Sequence, residues 1–449
     1  MKSRAVLVVV VAVAAVLFSP GTASARSGPP VLDVNFPDPD VVRVDDVYHA
    51  YASNGRGQNI QHATSTDLEG WSLDGGSVLP QIGAWAELEP FPAGGPEDDS
   101  VWAPEVFQAD DGFVMWYTAN DRASDVQCIG AAASPSPEGP FAPEPAPLIC
   151  PSGDGGAIDA SSFVEDGQRY ILWKNDGNCC GRDTWLHLQP VSGDGLRTTG
   201  PATRLIKQDR DFEGALVEAP TLWKHDGTYV LFYSANSFAD CSYTSSYATA
   251  AGLSGPYTKA PAPLLSTSSF SGTVCGPGGQ DVVVGPDGRD RMVFHGWDGP
   301  RTERSLYLAD LGWANDLPVV RGSIVRQEAE DGRVVDAAVR SAGGASGGRA
   351  VGAVDGPDSR VELGFYAPRS GEYTLFVTFG NGSVVDGAPV GASHTLTIDG
   401  VPAGDVGYPH TGWDRWTTTE RTITLTEGFH TLSLGKGANW AELDVVGVG

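Results

Sequence analysis

Short apolar runs closed by Asp-led turns repeat along the chain from residue 31 to about residue 320. The turns are Asp45-Asp46, Asp111-Gly112, Asp166-Gly167, Asp226-Gly227 and Asp287-Gly288, and counted from Asp46 they lie 65, 55, 60 and 61 residues apart. An aromatic-rich run follows each turn, at 48–51, 113–117, 170–173, 229–233 and 292–295, and a short apolar run precedes it, as at 101–107 and 221–224. Two such runs joined by Asp-Gly signal a hairpin. Each repeat is long enough for one four-stranded sheet, so the pattern predicts an all-β fold with five sheets in a ring, a five-bladed β-propeller. Five unrelated hairpins in a sandwich would leave the even spacing unexplained. The period stops near Trp313, and residues 317–322 form a short join. From Gln327 the chain turns Gly-rich and then alternates at period two, at 373–379, 394–398, 421–425 and 430–434, which predicts a jelly-roll-like β-sandwich. The expected division is a propeller over 26–322 and a sandwich over 327–449.

The first 25 residues lie outside that pattern. Lys2 and Arg4 precede an apolar run over 5–18, and Ala23-Ser24-Ala25 offers a small-x-small cleavage site. This is the layout of a secretory signal peptide. The run is short for a membrane span, which needs about 20 apolar residues, so a secreted, extracellular protein is expected. With 29 Lys+Arg against 56 Asp+Glu the net charge is −27. That balance excludes nucleic acid and anionic membrane surfaces as partners, since both need a basic face. An acidic, turn-rich chain with 12 Trp suits a neutral ligand with apolar faces, such as a sugar. The six cysteines, 128, 150, 179, 180, 241 and 275, are expected to form disulfides in an exported chain, with the adjacent Cys179 and Cys180 taking different partners. No Cys/His spacing suggests zinc.

The repeats also align candidate chemistry. Taking Val42, Val106, Phe163, Leu222 and Val283 as the residues that open each first hairpin strand, the positions four earlier are Asp38, Trp102, Asp159, Glu218 and Gly279. In a propeller, positions at the start of the innermost strands converge on the axis, so three carboxyl groups are expected to meet there. Carboxyls near one point repel, and their pKa values separate. The result is one protonated acid and one ionised base at the same pH, the pair that glycoside hydrolysis needs. A cage for a divalent cation also gathers carboxylates, but it wants more oxygen ligands than three, and Trp102 beside them has the shape of a sugar platform.

At these residues the sequence resembles glycoside hydrolase family 43 over about 31–320. Asn35-Phe-Pro-Asp38-Pro39-Asp40 is similar to the family's N-terminal aspartate motif. Val101-Trp-Ala-Pro-Glu105, Ala157-Ile-Asp159-Ala-Ser161 and Val217-Glu218-Ala-Pro220 resemble its other three motifs, in order. The resemblance implies hydrolysis with inversion, with Asp38 as general base, Glu218 as general acid and Asp159 tuning and orienting the acid. Inversion sets Asp38 and Glu218 roughly 6.5–9.5 Å apart. It implies no cofactor for catalysis. The family often has a His in the fifth unit's Gly-Pro-Gly-His segment, near an axial ion; here Gly276-Pro-Gly-Gly279-Gln280-Asp281 replaces it, which puts that ion in doubt unless Gln280 or Asp281 compensates. His295 fits a family ending but equally fits a packed histidine. Arg304 resembles a fifth-blade arginine that can reach substrate. Trp116, Trp173 and Trp223 sit inside strand patterns and are expected between blades, whereas Trp102 is expected to stack on sugar.

Residues 327–449 resemble carbohydrate-binding modules of families 6 and 35, through Gln327-Glu328-Ala-Glu330, Gly412-Trp413-Asp-Arg-Trp416 and Asn439-Trp-Ala-Glu-Leu-Asp444. That resemblance implies a structural Ca²⁺ on Glu328, Glu330 and Asp444, and a sugar site lined by Trp413 and Asn439. Trp416 is expected in the core. The composite expectation is a monomeric, secreted glycosidase of plant cell-wall polysaccharide. An α-L-arabinofuranosidase or arabinanase leads, with arabinan or arabinoxylan as partner. A β-xylosidase or β-galactanase of the same family, or a lectin that has lost catalysis, are the alternatives.

Overall fold

The computed structural model describes residues 30–88, 101–270, 274–298, 301–320 and 325–449, so the leader expected at 1–25 lies outside the described residues. The regular structure of the described chain is almost entirely strand, with six 3-10 turns of three or four residues. Among the described residues no helix is long and apolar enough to cross a membrane.

Five antiparallel sheets follow one another between residues 40 and 320. Their first strands are Asp40–Val44, Val101–Ala109, Ala157–Glu165, Val217–His225 and Cys275–Val284, and each pairs with the strand after its Asp-led turn. Turn residues Asp45, Asp166 and Asp226 have φ of 53, 48 and 43°, left-handed backbone that aspartate tolerates better than most residues. The first strands lie side by side in order, and the fifth lies against the first. The apolar side chains obey the same order. Tyr51 packs with Val106 and Met115, Trp116 with Ile171 and Trp173, Leu172 with Leu222 and Leu231, Phe232 with Met292 and Phe294, and Val293 with Tyr48 and Ala50. Every buried cluster is thus shared by two successive sheets, the last by the fifth and first. The incoming chain adds to that contact, since Val31, Leu32 and Phe36 donate backbone hydrogen bonds to the fifth sheet at Leu306 and Arg304. Trp116 and Trp173 lie in one of these clusters, and Trp223 packs against another.

The first strands carry one irregularity in common. Pairing breaks between Trp102 and Glu105, Ile158 and Ser161, Glu218 and Thr221, and Gly278 and Asp281, in each case with two residues facing one on the partner strand. This is a β-bulge. Its first residue is left-handed: Ala103, Asp159, Ala219 and Gly279, with φ of 41, 56, 47 and 57°, and Asp38 at φ 53° just before the first sheet. The alignment expected from sequence is therefore corrected. Asp38, Asp159 and Gly279 are equivalent, but Trp102 and Glu218 stand one residue ahead of the bulge. The bulge recurs at the same place in all four strands, so the offset lies in the anchors: Val106 and Leu222 stand three residues after its first residue, Phe163 and Val283 four.

The cysteines pair 128–150, 179–180 and 241–275. The adjacent pair overturns the expectation of separate partners. The other four are committed to one another, and the 3-10 turn Gly177–Cys180, ended by left-handed Gly181, sets the two neighbours side by side.

From residue 325 two further antiparallel sheets, of six and five strands, share one buried cluster that includes Leu375, Val377 and Phe379 from one and Leu363, Phe365 and Leu432 from the other. Buried and more exposed residues alternate over 430–434, as the period-two reading expected, whereas 373–379 are buried at every position but Thr378. Trp416 is not in this core. It is half-buried, lies over Gly380, and donates Nε1–H to the Gly343 carbonyl at 2.9 Å.

Candidate active site

The bulged starts of the first strands surround a pocket of about 530 Å³. Asp38, Asp159 and Glu218 all line it, together with Trp102 and Arg304. Left-handed backbone at Asp38 and Asp159 turns each carboxyl out of its strand's alternation, and Glu218 comes from the rung before its bulge. Two adjacent rungs therefore supply one pit.

Each carboxyl has its own partners. Asp38 accepts Ser53 Oγ–H at 2.6 Å, and Arg304 Nη1 lies 3.5 Å from its Oδ1. Burial pushes the Asp38 carboxyl up, but Arg304 and Ser53 more than offset it and hold the group below its ordinary value. Its backbone N–H donates to His295 Nδ1 at 3.0 Å, so the proton of that imidazole sits on Nε2. Burial, with Arg304 nearby, pushes His295 down to about 3, which leaves it neutral and makes Arg304 the cation that acts on Asp38. Gly279 permits this contact, because a Cβ there would stand 2.6 Å from the His295 ring.

Asp159 accepts the Ala219 N–H at 2.9 Å and is pushed up to about 8, first by burial and then by the Glu218 charge. Glu218 accepts Lys174 Nζ–H at 3.0 Å on Oε2 and Tyr243 Oη–H at 2.8 Å on Oε1. The pocket thus holds a carboxyl driven to stay ionised and a coupled pair able to keep one proton. That is the electrostatic requirement for general acid and base in one site.

A second set of acids, Asp40, Glu105 and Asp281, sits two residues after the bulge position. They bind backbone N–H groups across the sheet boundaries: Asp40 takes Val106 N–H at 2.8 Å, Glu105 takes Ser162 N–H at 2.7 Å, and Asp281 takes Val41 N–H at 3.0 Å. Burial and their mutual charge push Asp40 and Glu105 well up, and burial pushes Asp281 up to about 7. Gln280, the other residue considered for an axial ion, instead bonds Ser234 and the Ala219 carbonyl.

Sequence reasoning missed several residues of this site. Lys174 ends an apolar strand, and a lysine inside such a run was a usable signal. Phe238 and Tyr243 flank Cys241 in the connection between strands Thr228–Ala235 and Thr244–Ala250 and carry no register. Phe238 lines the pocket and, with Trp297, flanks the Arg304 guanidinium at 5.1 and 5.7 Å.

The C-terminal candidates fall in two places. Glu328 and Glu330 each bury one carboxylate oxygen without a hydrogen-bond partner. Asp444 is pushed up to about 6 by burial and by those two charges, and Ser346 bridges Asp444 and Glu328. Hard, unpaired, mutually repelling oxygens fit a Ca²⁺ ion, although Arg349 also approaches Glu330, at 3.4 Å. Elsewhere, exposed Trp413 packs on Gly382, and Ser383 is bonded to the backbone of exposed Trp440. Asn439 spends its amide N–H on the Gly391 carbonyl at 2.6 Å.

The chain is similar to the "Extracellular endo-alpha-(1->5)-L-arabinanase" of Thermotoga petrophila, 28% identical over 251 residues, 49% of this chain and 50% of that protein. It thus spans half the length of that relative. It is also similar to "Xylosidase/arabinosidase 43A" of Humicola insolens, 24% identical over 254 residues, 46% of this chain and 74% of that one. A crystal structure of a thermostable family-43 glycoside hydrolase superposes with a TM-score of 0.56 at 29% identity, covering 66% of this chain and 96% of that one. Residues 27–318 match the family model described as "Glycosyl hydrolases family 43", and the chain belongs to that family of inverting glycosidases.

Proposed function

We propose that the protein hydrolyses α-L-arabinofuranosides, as an arabinofuranosidase or arabinanase, by a single displacement with inversion. The observation that carries the reading is the opposed titration of carboxyls in one pocket, Asp38 held down beside Arg304 and Asp159 held up beside Glu218. A lectin has no use for that split. Asp38 takes a proton from water as the water oxygen bonds to the anomeric carbon. The bond from that carbon to the leaving oxygen breaks, and Glu218 passes its proton to that oxygen. Asp159, coupled to Glu218, keeps the pair supplied with that proton. Trp102 offers an apolar face to the sugar, and Arg304 both charges Asp38 and reaches the pocket.

The arabinoside assignment leans on the names of the relatives, one of which also includes xylosidase. Hydrolysis of aryl α-L-arabinofuranoside, β-D-xyloside and β-D-galactoside, with arabinan, xylan and galactan beside them, tests it. An NMR time course of the first-released anomer tests inversion. Release from the xyloside or galactoside alone would move the substrate class, and release from none would leave a binding protein.

The same reading takes the five sheets, over 26–322, as the blades of a closed propeller, supported by the cyclic sharing of their cores. It takes 327–449 as a β-sandwich carbohydrate-binding module of the family 6 and 35 type. There Glu328, Glu330 and Asp444 would hold Ca²⁺, and Trp413 would stack on sugar with Asn439 at its edge. Such a module raises the local concentration of polysaccharide at the pocket. Residues 1–25 would direct secretion, and the protein would act as a monomer.

A further inference from the structure

We propose that Lys174 sets the strength of the acid that protonates the leaving group, acting through the carboxyl of Glu218. The inference rests on the reading of Glu218 as that acid. Lys174 lies on Gln168–Asn175, the second strand of the third sheet, directly across from Ile158 and so one residue from Asp159. Its side chain is 1% exposed, and its ammonium stands 3.0 Å from Glu218 Oε2 and 3.4 Å from Asp176 Oδ1.

A buried ammonium needs a reason to stay charged, because losing water penalises the charged form. Burial works against it, but Glu218, Asp159 and Asp176 together outweigh burial and raise its proton affinity above the ordinary lysine value. An isolated structural ion pair matches one cation to one carboxylate. Here one cation faces three carboxyls, and the Asp38 charge also acts on Asp159. Protonate one member of the Asp159–Glu218 pair and the trio with Lys174 is neutral. Remove Lys174, and neutrality demands a second proton.

The remaining group on Glu218 is Tyr243, a neutral donor whose phenol faces the same acids. Tyr243 fixes the plane of the carboxyl, while Lys174 supplies the only charge opposing its protonation among the groups that touch it. A carboxyl gripped by an ammonium holds a proton less tightly and yields it more readily to a poor leaving group. At the same time it loses that proton at lower pH.

The test is the pH dependence of kcat/KM for Lys174→Met and Lys174→Arg on aryl glycosides of good and poor leaving ability, with the sugar that the panel above selects. The alkaline limb for Lys174→Met is expected to rise by about one to three pH units, the range for an opposite charge at this separation. The acid limb, set by Asp38, stays in place, and loss of kcat is greater on the poor leaving group. Lys174→Arg, which keeps the charge, holds the limb near its original place. Lys174→Gln gives the same reading should the methionine variant not fold. An unmoved alkaline limb, or an equal shift in Lys174→Arg, overturns the proposal. Glu218→Gln on the same series separates the two readings. If it slows good and poor leaving groups alike, Glu218 is not the acid. If it spares the good ones while Lys174→Met leaves the limb unmoved, only the role of Lys174 fails.

Discussion

Replacing Arg304 by Met tests what keeps Asp38, the proposed base, ionised. Arg304 Nη1 stands 3.5 Å from Asp38 Oδ1. At an effective dielectric of about 20 a unit pair at that distance attracts by about 332/(20 × 3.5), or about 5 kcal/mol. At about 1.4 kcal/mol per pKa unit that caps the shift at roughly three units. Both side chains keep some contact with solvent, 17% for Arg304 and 25% for Asp38, so the realised shift falls nearer one to two units. The sign is fixed. As the proposed base Asp38 works as an anion, so loss of the cation raises its pKa and moves the acid limb of kcat/KM to higher pH. One unit below the original limb, the rate falls a further ~10- to 100-fold for that shift, whereas on the plateau the change is confined to substrate contacts of Arg304. His295 cannot compensate, because burial keeps it neutral. The assay is the pH–rate profile of Arg304→Met beside Arg304→Lys, with the lysine variant expected near the parent. An acid limb that stays put in the methionine variant would refute the role of Arg304, and with it the idea that Asp38 is the group titrating there.

Asp38→Asn should lower turnover by at least a hundredfold, the scale of a lost general base, with an unchanged thermal unfolding midpoint by circular dichroism. Gly279→Ala places a Cβ 2.6 Å from the His295 ring and 3.2 Å from Asp38 Oδ1 on backbone of φ 57°. It should cost about 1–2 kcal/mol of stability from the backbone alone, read by denaturant unfolding, and lower kcat by displacing the base. Asp40, Glu105 and Asp281 bind protons more tightly folded than unfolded. Stability should therefore fall as pH rises from about 4, where unfolded carboxyls ionise, toward about 7, where folded Asp281 does. Melting curves across that window should be flatter for Asp281→Asn than for the parent.

What could be read from the residues was set by repetition along the chain. Asp-led turns and apolar runs recur because each sheet solves the same packing problem, so five sheets and the neighbourhood of Asp38, Trp102, Asp159 and Glu218 were legible. The exact rung was not, since apolar residues follow one another after the bulge, as in Val106-Phe107 and Leu222-Trp223, and the pattern does not say which of them opens the strand. Lys174, Tyr243 and His295 were invisible as a group. They come from a second strand, a loop and a different sheet, and only closure of the chain on itself brings Lys174 and Tyr243 to the two oxygens of Glu218, or His295 to the backbone of Asp38. The adjacent cysteines failed for the opposite reason. A general expectation about neighbours was applied where a local turn decided the geometry.

The left-handed residue explains how one short motif can serve both the proposed reaction and the fold. In Asp38-Pro39-Asp40 the left-handed residue turns its carboxyl into the pocket, and the residue two further on turns its own to the next sheet, where Asp40 satisfies the Val106 N–H. Pro104-Glu105 and Gln280-Asp281 repeat the second half of the device at two other boundaries, without an acid at the bulge itself. First strands that splay apart leave backbone N–H groups unpaired between sheets, and an unsatisfied buried N–H costs about 1–3 kcal/mol. Acids of the second kind supply the missing acceptors, at the expense of holding carboxyls in a site where burial and mutual repulsion favour the protonated form. Two aspartates two positions apart should accordingly fail differently. Asp38→Asn silences the pocket and leaves the sheets joined. Asp40→Leu, which removes the acceptor for Val106, should lower the unfolding midpoint and disturb the pocket only as the first two sheets part.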